Sequence, residues 1–205
     1  MRILITAARA PSVLDLMRHL VRDGHEVLLT DSRAFPLSRF SRLKVKYFRT
    51  CAPGSHPEQY RREIREIAKR ESVDLVLPMF EEVMHLANGI GEFEGVTRVF
   101  CDDFEKIRRI HNKHTFIDVA RSAGMSVPQT HLLTDPESVQ QFAGRSSDLV
   151  FKPVYSRFGD QVVLRPDSNQ LKRVTPSEQC PWVAQEYLDG DLFCSFGIAH
   201  RGKLR

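Results

Sequence analysis

The chain has 205 residues, 41% of them hydrophobic and 27% charged, with a formal net charge of +4. That is an ordinary composition for a folded protein of one large or two small domains, with no low-complexity tract. No uninterrupted apolar run approaches the ~20 residues a membrane span needs, and the N-terminal Ile3-Leu4-Ile5 is too short for a signal peptide. Cys51, Cys101, Cys180 and Cys194 are scattered, with no Cys-x-x-Cys pair and no histidine at metal spacing, as expected of thiols in a reducing cytoplasm.

The N-terminal half reads as alternating strands and helices. Arg2–Thr6 is an apolar strand, followed by a turn and an amphipathic helix over Pro11–Arg22, with Val13, Leu14, Met17, Leu20 and Val21 on one face. Gly24 ends that helix, and Glu26–Thr30 is the next strand, closing on Asp31. This βαβ spacing calls for a parallel sheet. Further elements are expected as a strand at Val45–Phe48, a helix from Pro57 to Arg70 and a strand at Val73–Leu77. A helix over Glu81–Ile90 and a strand at Thr97–Phe100 complete the unit.

The pattern changes after residue 101. Helices are expected at Asp103–Ile110, Lys113–Ala123 and Pro136–Phe142, the last capped by Thr134 or Asp135. Val127–Thr130 reads as an extended crossing. Strands then dominate, at Asp148–Lys152, Gln161–Leu164, Trp182–Glu186 and Leu192–His200, before a hairpin turn at residues 200–203. A partner strand that has hardly begun at Arg205 suggests a chain ending partway through a domain.

Charge is unevenly spread. Residues 1–70 hold 15 Lys/Arg against 7 Asp/Glu, whereas residues 71–205 hold 15 against 19. Arg33, Arg39, Arg42, Lys44, Lys46 and Arg49 form one basic stretch, suited to an anionic substrate or a nucleic acid, or simply to a solvated connection. The stretch carries no nucleic-acid motif, so the solvated connection is preferred and a nucleic-acid partner ranks last.

Two segments carry chemistry. Lys152 closes the apolar run Leu149-Val150-Phe151 and precedes Pro153, so its stem is enclosed and its ammonium sits at a rim, where an anion is the natural partner. The following loop offers Ser156, Arg157 and Gly159, suited to phosphate oxygens; an ordinary polar hairpin loop is the competing reading. Trp182-Val183-Ala184-Gln185-Glu186-Tyr187-Leu188 runs on to Asp189-Gly190-Asp191. A strand end here offers backbone groups and the Gln185 amide to a purine edge, with Asp191 for ribose hydroxyls; the alternative is an edge strand and turn. Other candidates are weaker. The first βα turn, Thr6 to Ser12, has no glycine, which disfavours a dinucleotide pyrophosphate. Asp31 suits a ribose or, preferably, a turn cap. Glu81 and Glu82 lie where open α/β sheets bind ligands, but acids there also complement a helix dipole. Lys113 gains meaning only beside Lys152.

Together these segments resemble the ATP-grasp superfamily, the ATP-dependent carboxylate–amine ligases and their carbamoyl-phosphate-synthase-like relatives. Ile3–Ala8, Gly24–Val27 and Asp31 are similar to the N-terminal α/β domain. Asn112-Lys113 with Ala123–Pro128 is similar to the Asp-Lys helix and its Gly-Ile-Pro-x-Pro crossing. Val150–Pro153 is similar to the Val-x-Lys-Pro strand, and Gln185–Asp191 to the segment Glu-Glu-Tyr-Ile-x-Gly-x-Glu. The resemblance implies a Rossmann-like parallel-sheet domain over 1–100 followed by the first part of an α+β ATP-grasp domain over 101–205. It implies that Lys113 and Lys152 contact ATP phosphates, Gln185 the adenine amine, Glu186 and Leu188 the base through their backbone, and Asp191 the ribose. The loop Ser156, Arg157 and Gly159 would cover the phosphates, although it has fewer glycines than the family pattern. The cofactors implied are ATP and Mg²⁺, the metal ligands and catalytic arginine falling beyond residue 205. The implied partners are ATP and a small carboxylate, in the cytoplasm, with no membrane and with a homodimer left open. On this reading the 205 residues bind nucleotide incompletely and do not turn over alone. The competing expectations are a non-catalytic nucleotide-binding module and, behind it, an NAD(P)-binding domain of a reductase.

Overall fold

A computed structural model describes residues 1–156, 159, 161–200 and 202–204. The chain forms two compact units, Met1–Arg108 and Arg109–Arg205.

In the first unit, strands β1 (Arg2–Ile5), β2 (Glu26–Asp31), β3 (Lys46–Arg49), β4 (Leu75–Leu77) and β5 (Arg98–Val99) form a parallel sheet in the order β3-β2-β1-β4-β5. The two-residue side-chain period sends Ile3, Ile5, Val27 and Leu29 to one face and Leu4, Leu28 and Val76 to the other. Helix α1 (Pro11–Arg22) covers the first face with Val13 and Met17. Helix α2 (Pro57–Arg70) covers the second with Tyr60, Ile64 and Ile67. Both helices carry proline in their first turn, where the missing N–H has no helical partner to lose. Gly24, at φ +81°, takes the left-handed conformation that lets the chain leave α1 and enter β2. Helix α3 (Glu82–Asn88) follows β4. These are the expected elements, with ends displaced by a few residues.

Helix α4 (Phe104–His111) contains the division between the units. The second unit is built on an antiparallel sheet of β6 (Thr130–Leu133), β7 (Leu149–Pro153), β8 (Val163–Leu164) and β9 (Trp182–Glu186), in the order β6-β9-β7-β8. Helices α5 (Thr115–Ser122), α6 (Pro136–Gln140) and α7 (Ser168–Leu171) connect or flank it. Phe151, Leu133, Leu149, Trp182 and Ala184 fill its core with Val139 from α6 and Leu171 from α7. Asp135 caps α6, accepting from the Ser138 N–H at 2.7 Å.

Three local expectations need correction. The extended crossing does not stop at Thr130: Thr130–Leu133 is a full strand, paired with β9 from Thr130 opposite Gln185 to Leu133 opposite Trp182. Its sequence lacks the alternation that would mark it. Helix α7 lies outside the expected elements, although Asp167 and Gln170 form a capping box at its start, a signal legible in Asp-Ser-Asn-Gln. The strand expected over Leu192–His200 is reduced to β10 (Ala199–His200), paired with β11 (Lys203–Leu204). Residues 191–198 have no ladder partner among the described residues, and Leu192 is 96% exposed; β-propensity without a partner strand does not make a strand.

No helix of the described residues is long and apolar enough to cross a membrane.

Candidate functional site

The second unit gathers the chemistry on one sheet face. In β7, Leu149 and Phe151 point into the core, so Val150 and Lys152 take the opposite face. In β9, Trp182 and Ala184 point into the core, leaving Val183 and Gln185 on that same opposite face. The antiparallel register sets Lys152 opposite Val183 and Val150 opposite Gln185, making Lys152 and Gln185 diagonal neighbours. Lys152 Nζ donates to Gln185 Oε1 at 2.7 Å. Gln185 Nε2 donates to Thr130 Oγ1 at 2.8 Å, and that hydroxyl donates to the Pro128 carbonyl at 3.1 Å. Thr130 is the residue that sequence reasoning missed. Only the register of β6 against β9 brings it under Gln185.

Lys113 reaches the same cleft from the turn before α5. Its ammonium donates to the Ser156 carbonyl at 2.6 Å and to that of Val154 at 3.4 Å. Its backbone N–H also donates to Val154 O at 3.2 Å. Asn112 accepts from the N–H groups of His114 and Thr115 at 2.9 and 3.0 Å, capping α5, and donates to the Tyr155 hydroxyl at 3.0 Å. The His111 ring stacks on Tyr155. Residues 111–113 thus pin the chain at 154–156, where the loop after β7 begins. Asn112→Ala is expected to lower the stability of this unit by about 1 kcal/mol through loss of the cap, read as a shift in its thermal transition.

Lys113, Lys152 and Gln185 line a cleft of about 280 Å³ whose other walls include Phe116, Ile117, Met125 and Val127. Burial depresses the Lys152 ammonium below its ordinary pKa. Burial, and then the charge of Lys152, depress Lys113 likewise. Two partly buried ammonium groups in an apolar-walled cleft, one of them lowered further by the other's charge, form a site short of negative charge.

The remaining candidates are placed less centrally. The Ser156 hydroxyl donates to Pro153 O at 3.3 Å, so its carbonyl rather than its hydroxyl meets Lys113. Gly159 adopts φ +70° and accepts from the Val162 N–H; Arg157 lies outside the described residues. Glu186 is tied to Gln129, its N–H donating to Gln129 O at 2.9 Å and its carboxylate accepting from Gln129 N–H at 3.2 Å. Leu188 and Asp191 follow β9 as exposed residues and do not line the cleft.

In the first unit, Asp31 accepts from the N–H groups of Arg9 and Arg33 and pairs with the Arg9 guanidinium at 2.8 Å. Its buried carboxylate is engaged in capping, the preferred reading of that residue. Glu82 is buried and accepts from the Thr6 hydroxyl and from the N–H groups of Met79 and Phe80, fastening the turn after β4 to β1. Among the described residues no three His, Cys, Asp or Glu side chains form a group that could hold a metal ion.

No protein-family model and no curated protein matches the chain. Solved structures do. L-amino acid ligase from Bacillus licheniformis aligns over 92% of this chain and 44% of its own, at 18% identity and a TM-score of 0.69. N5-carboxyaminoimidazole synthetase from Staphylococcus aureus aligns over 92% and 47%, at 12% identity and a TM-score of 0.66. Carboxyaminoimidazole ribonucleotide synthase from Aspergillus clavatus, complexed with ATP, aligns over 91% and 47%, at 17% identity and a TM-score of 0.64. The fold is that of the ATP-grasp ligases. This chain spans less than half the length of those proteins.

Proposed function

We propose that this chain supplies the nucleotide-binding part of an ATP-grasp ligase that activates a small carboxylate. The observation that carries the reading is the convergence of Lys113, Lys152 and Gln185 on one cleft with an apolar wall. A triphosphate tail would replace the carbonyl partners of Lys113 and relieve the repulsion between the two ammonium groups, while Phe116, Met125 and Val127 offer apolar surface to a purine. Gln185 would take the base in the cleft, while the backbone of Glu186 and Leu188 and the Asp191 carboxylate, which follow β9 outside the cleft lining, would have to fold over it to take base and ribose. The described start of the phosphate loop, Ser156, is already held by Lys113. The structure of the Aspergillus clavatus neighbour contains ATP, which supports the same ligand here.

In the proposed reaction a carboxylate oxygen attacks the γ-phosphorus, the bond to the bridging oxygen breaks, and ADP leaves with the electron pair. An amine then attacks the acyl carbon of the acylphosphate, releases its proton to solvent or base, and expels phosphate. The chain's contribution is positioning and neutralisation of charge. Magnesium would accompany the nucleotide and supply neutralisation of its phosphate charge.

The lowered lysines provide the test. Unfolded lysines titrate near 10.5 and the folded pair below that, so in the alkaline window beneath 10.5 the unfolded state holds more protons and this unit gains stability as pH rises. A bound polyphosphate favours the charged lysines, so ATP binding in that window is expected to take up protons. Titration calorimetry in buffers of differing ionisation enthalpy reads this directly. Binding without proton uptake would remove the lysine pair from the site, and no ATP binding at millimolar concentration would remove the reading.

A further inference from the structure

The first unit carries a second cationic site, at the opposite edge of its sheet from Asp31 and Glu82. Arg18 and Arg22 project from the last two turns of α1, and Arg42 comes from the connection that leads into β3. These three arginines, with Phe40, Val21 and Leu43, surround an open pocket of about 650 Å³, and no carboxylate lines it. Strands of this sheet run away from the pocket, since α1 returns the chain through Gly24 to the start of β2. The ligand edge of an open α/β sheet is the other one.

Most arginines of this unit are satisfied. Arg2 pairs with Glu26, Arg9 with Asp31, Arg61 with Glu92 and Arg70 with Glu71. Arg18 and Arg42 form neither an ion pair nor a side-chain hydrogen bond among the described residues. Arg22 has only a long 3.8 Å contact with Asp23 and a hydrogen bond to the His19 ring, while the other nearby acid, Asp15, faces His19. No Asp or Glu occurs in the 26 residues between Asp31 and Glu58 that furnish one wall. The Phe40 ring, 71% exposed, stands at the rim. Like charges gathered with little counter-charge, and with no carboxylate in the lining, raise the local potential, and a concave, partly apolar floor confines what can respond to it.

We propose that this pocket binds a phosphomonoester, the phosphate lodged among Arg18, Arg22 and Arg42 and the organic portion against Phe40, Val21 and Leu43. Guanidinium forks suit a dianionic phosphate, which accepts several charge-assisted hydrogen bonds at once. The site is separate from the Lys113–Lys152 cleft and does not depend on the role given to that cleft.

The test uses phenyl phosphate and inorganic phosphate as probes, with the unmodified chain, the Arg18→Ala/Arg42→Ala pair and Lys152→Met. Phenyl phosphate is expected to bind more tightly than inorganic phosphate, and the paired substitution to weaken it by about tenfold or more. Both arginines are exposed, so the thermal transition should stay in place. Lys152→Met should leave phenyl phosphate binding unchanged while affecting ATP, which separates the two sites. Vesicles containing phosphatidic acid provide a second arm. Retention on them that is lost with the arginine pair would assign the phosphomonoester to a lipid headgroup. The proposal is overturned if neither form of phosphomonoester is bound, if binding survives loss of both arginines, or if the patch retains single-stranded DNA but no phosphomonoester.

Discussion

Lys152→Met is expected to reduce ATP affinity by roughly 30- to 150-fold, equivalent to about 2–3 kcal/mol for a charge-assisted hydrogen bond in a partly enclosed site. Methionine keeps the unbranched stem that runs along the sheet face and removes only the ammonium. Two local changes then oppose each other in the unliganded chain. Gln185 Oε1 loses its 2.7 Å donor, while Lys113 loses the neighbouring charge that lowers its proton affinity. The net change in stability should therefore stay within about 1 kcal/mol. Calorimetric titration with ATP, paired with a thermal melt, checks both halves. Unchanged ATP affinity with an unchanged melt would show that the cleft is not where phosphate binds, and would favour a module that keeps the fold without nucleotide chemistry.

Phe151→Ala should be the most damaging single change in the second unit. Phe151 is fully buried at the centre of the cluster formed with Leu133, Leu149, Trp182 and Ala184, and truncation of such a ring costs about 3–5 kcal/mol in lost burial and residual cavity. For a unit of this size each kcal/mol moves the midpoint by about 4–8 °C, so the transition should fall by well over 10 °C. Trp182 is the one tryptophan in the chain and lies in this core, 3% exposed. Its fluorescence therefore follows this unit, while far-UV circular dichroism follows both. A fluorescence midpoint that stays put would mean that the cluster does not hold the sheet together. Because Phe151 and Lys152 alternate on one strand, the same variant should also loosen nucleotide binding, through misplacement of Lys152.

Much of this molecule was legible in its residues. The period-2 and period-3.6 patterns that define β1, α1, β2 and α2 are strong because each element buries one face, and burial is what the pattern records. Lys152 was legible for a related reason. A lysine ending an apolar strand is a costly placement unless an anion or an acceptor meets it, and Gln185 was conspicuous in the same way at the end of β9. Asp167 and Gln170 were equally readable as a capping box, though a single-turn helix gives no periodicity to draw attention to it.

What residue order could not express is adjacency across the sheet. Thr130, Lys152 and Gln185 are separated by 22 and 33 positions, and nothing local says that β6 pairs with β9 from Thr130 opposite Gln185. Register decides that, since a shift of one residue would turn every side chain to the other face. The capture of the Ser156 carbonyl by Lys113 and the docking of Tyr155 on His111 and Asn112 are likewise tertiary events. The phosphomonoester pocket is the clearest case. The basic stretch after β2 was visible as composition, but only the return of α1 beside it brings Arg18 and Arg22 to Arg42. Local sequence therefore determined the elements and the chemical character of their ends. Long-range packing decided which charges meet, because electrostatic energy depends on separation in space and is indifferent to separation along the chain.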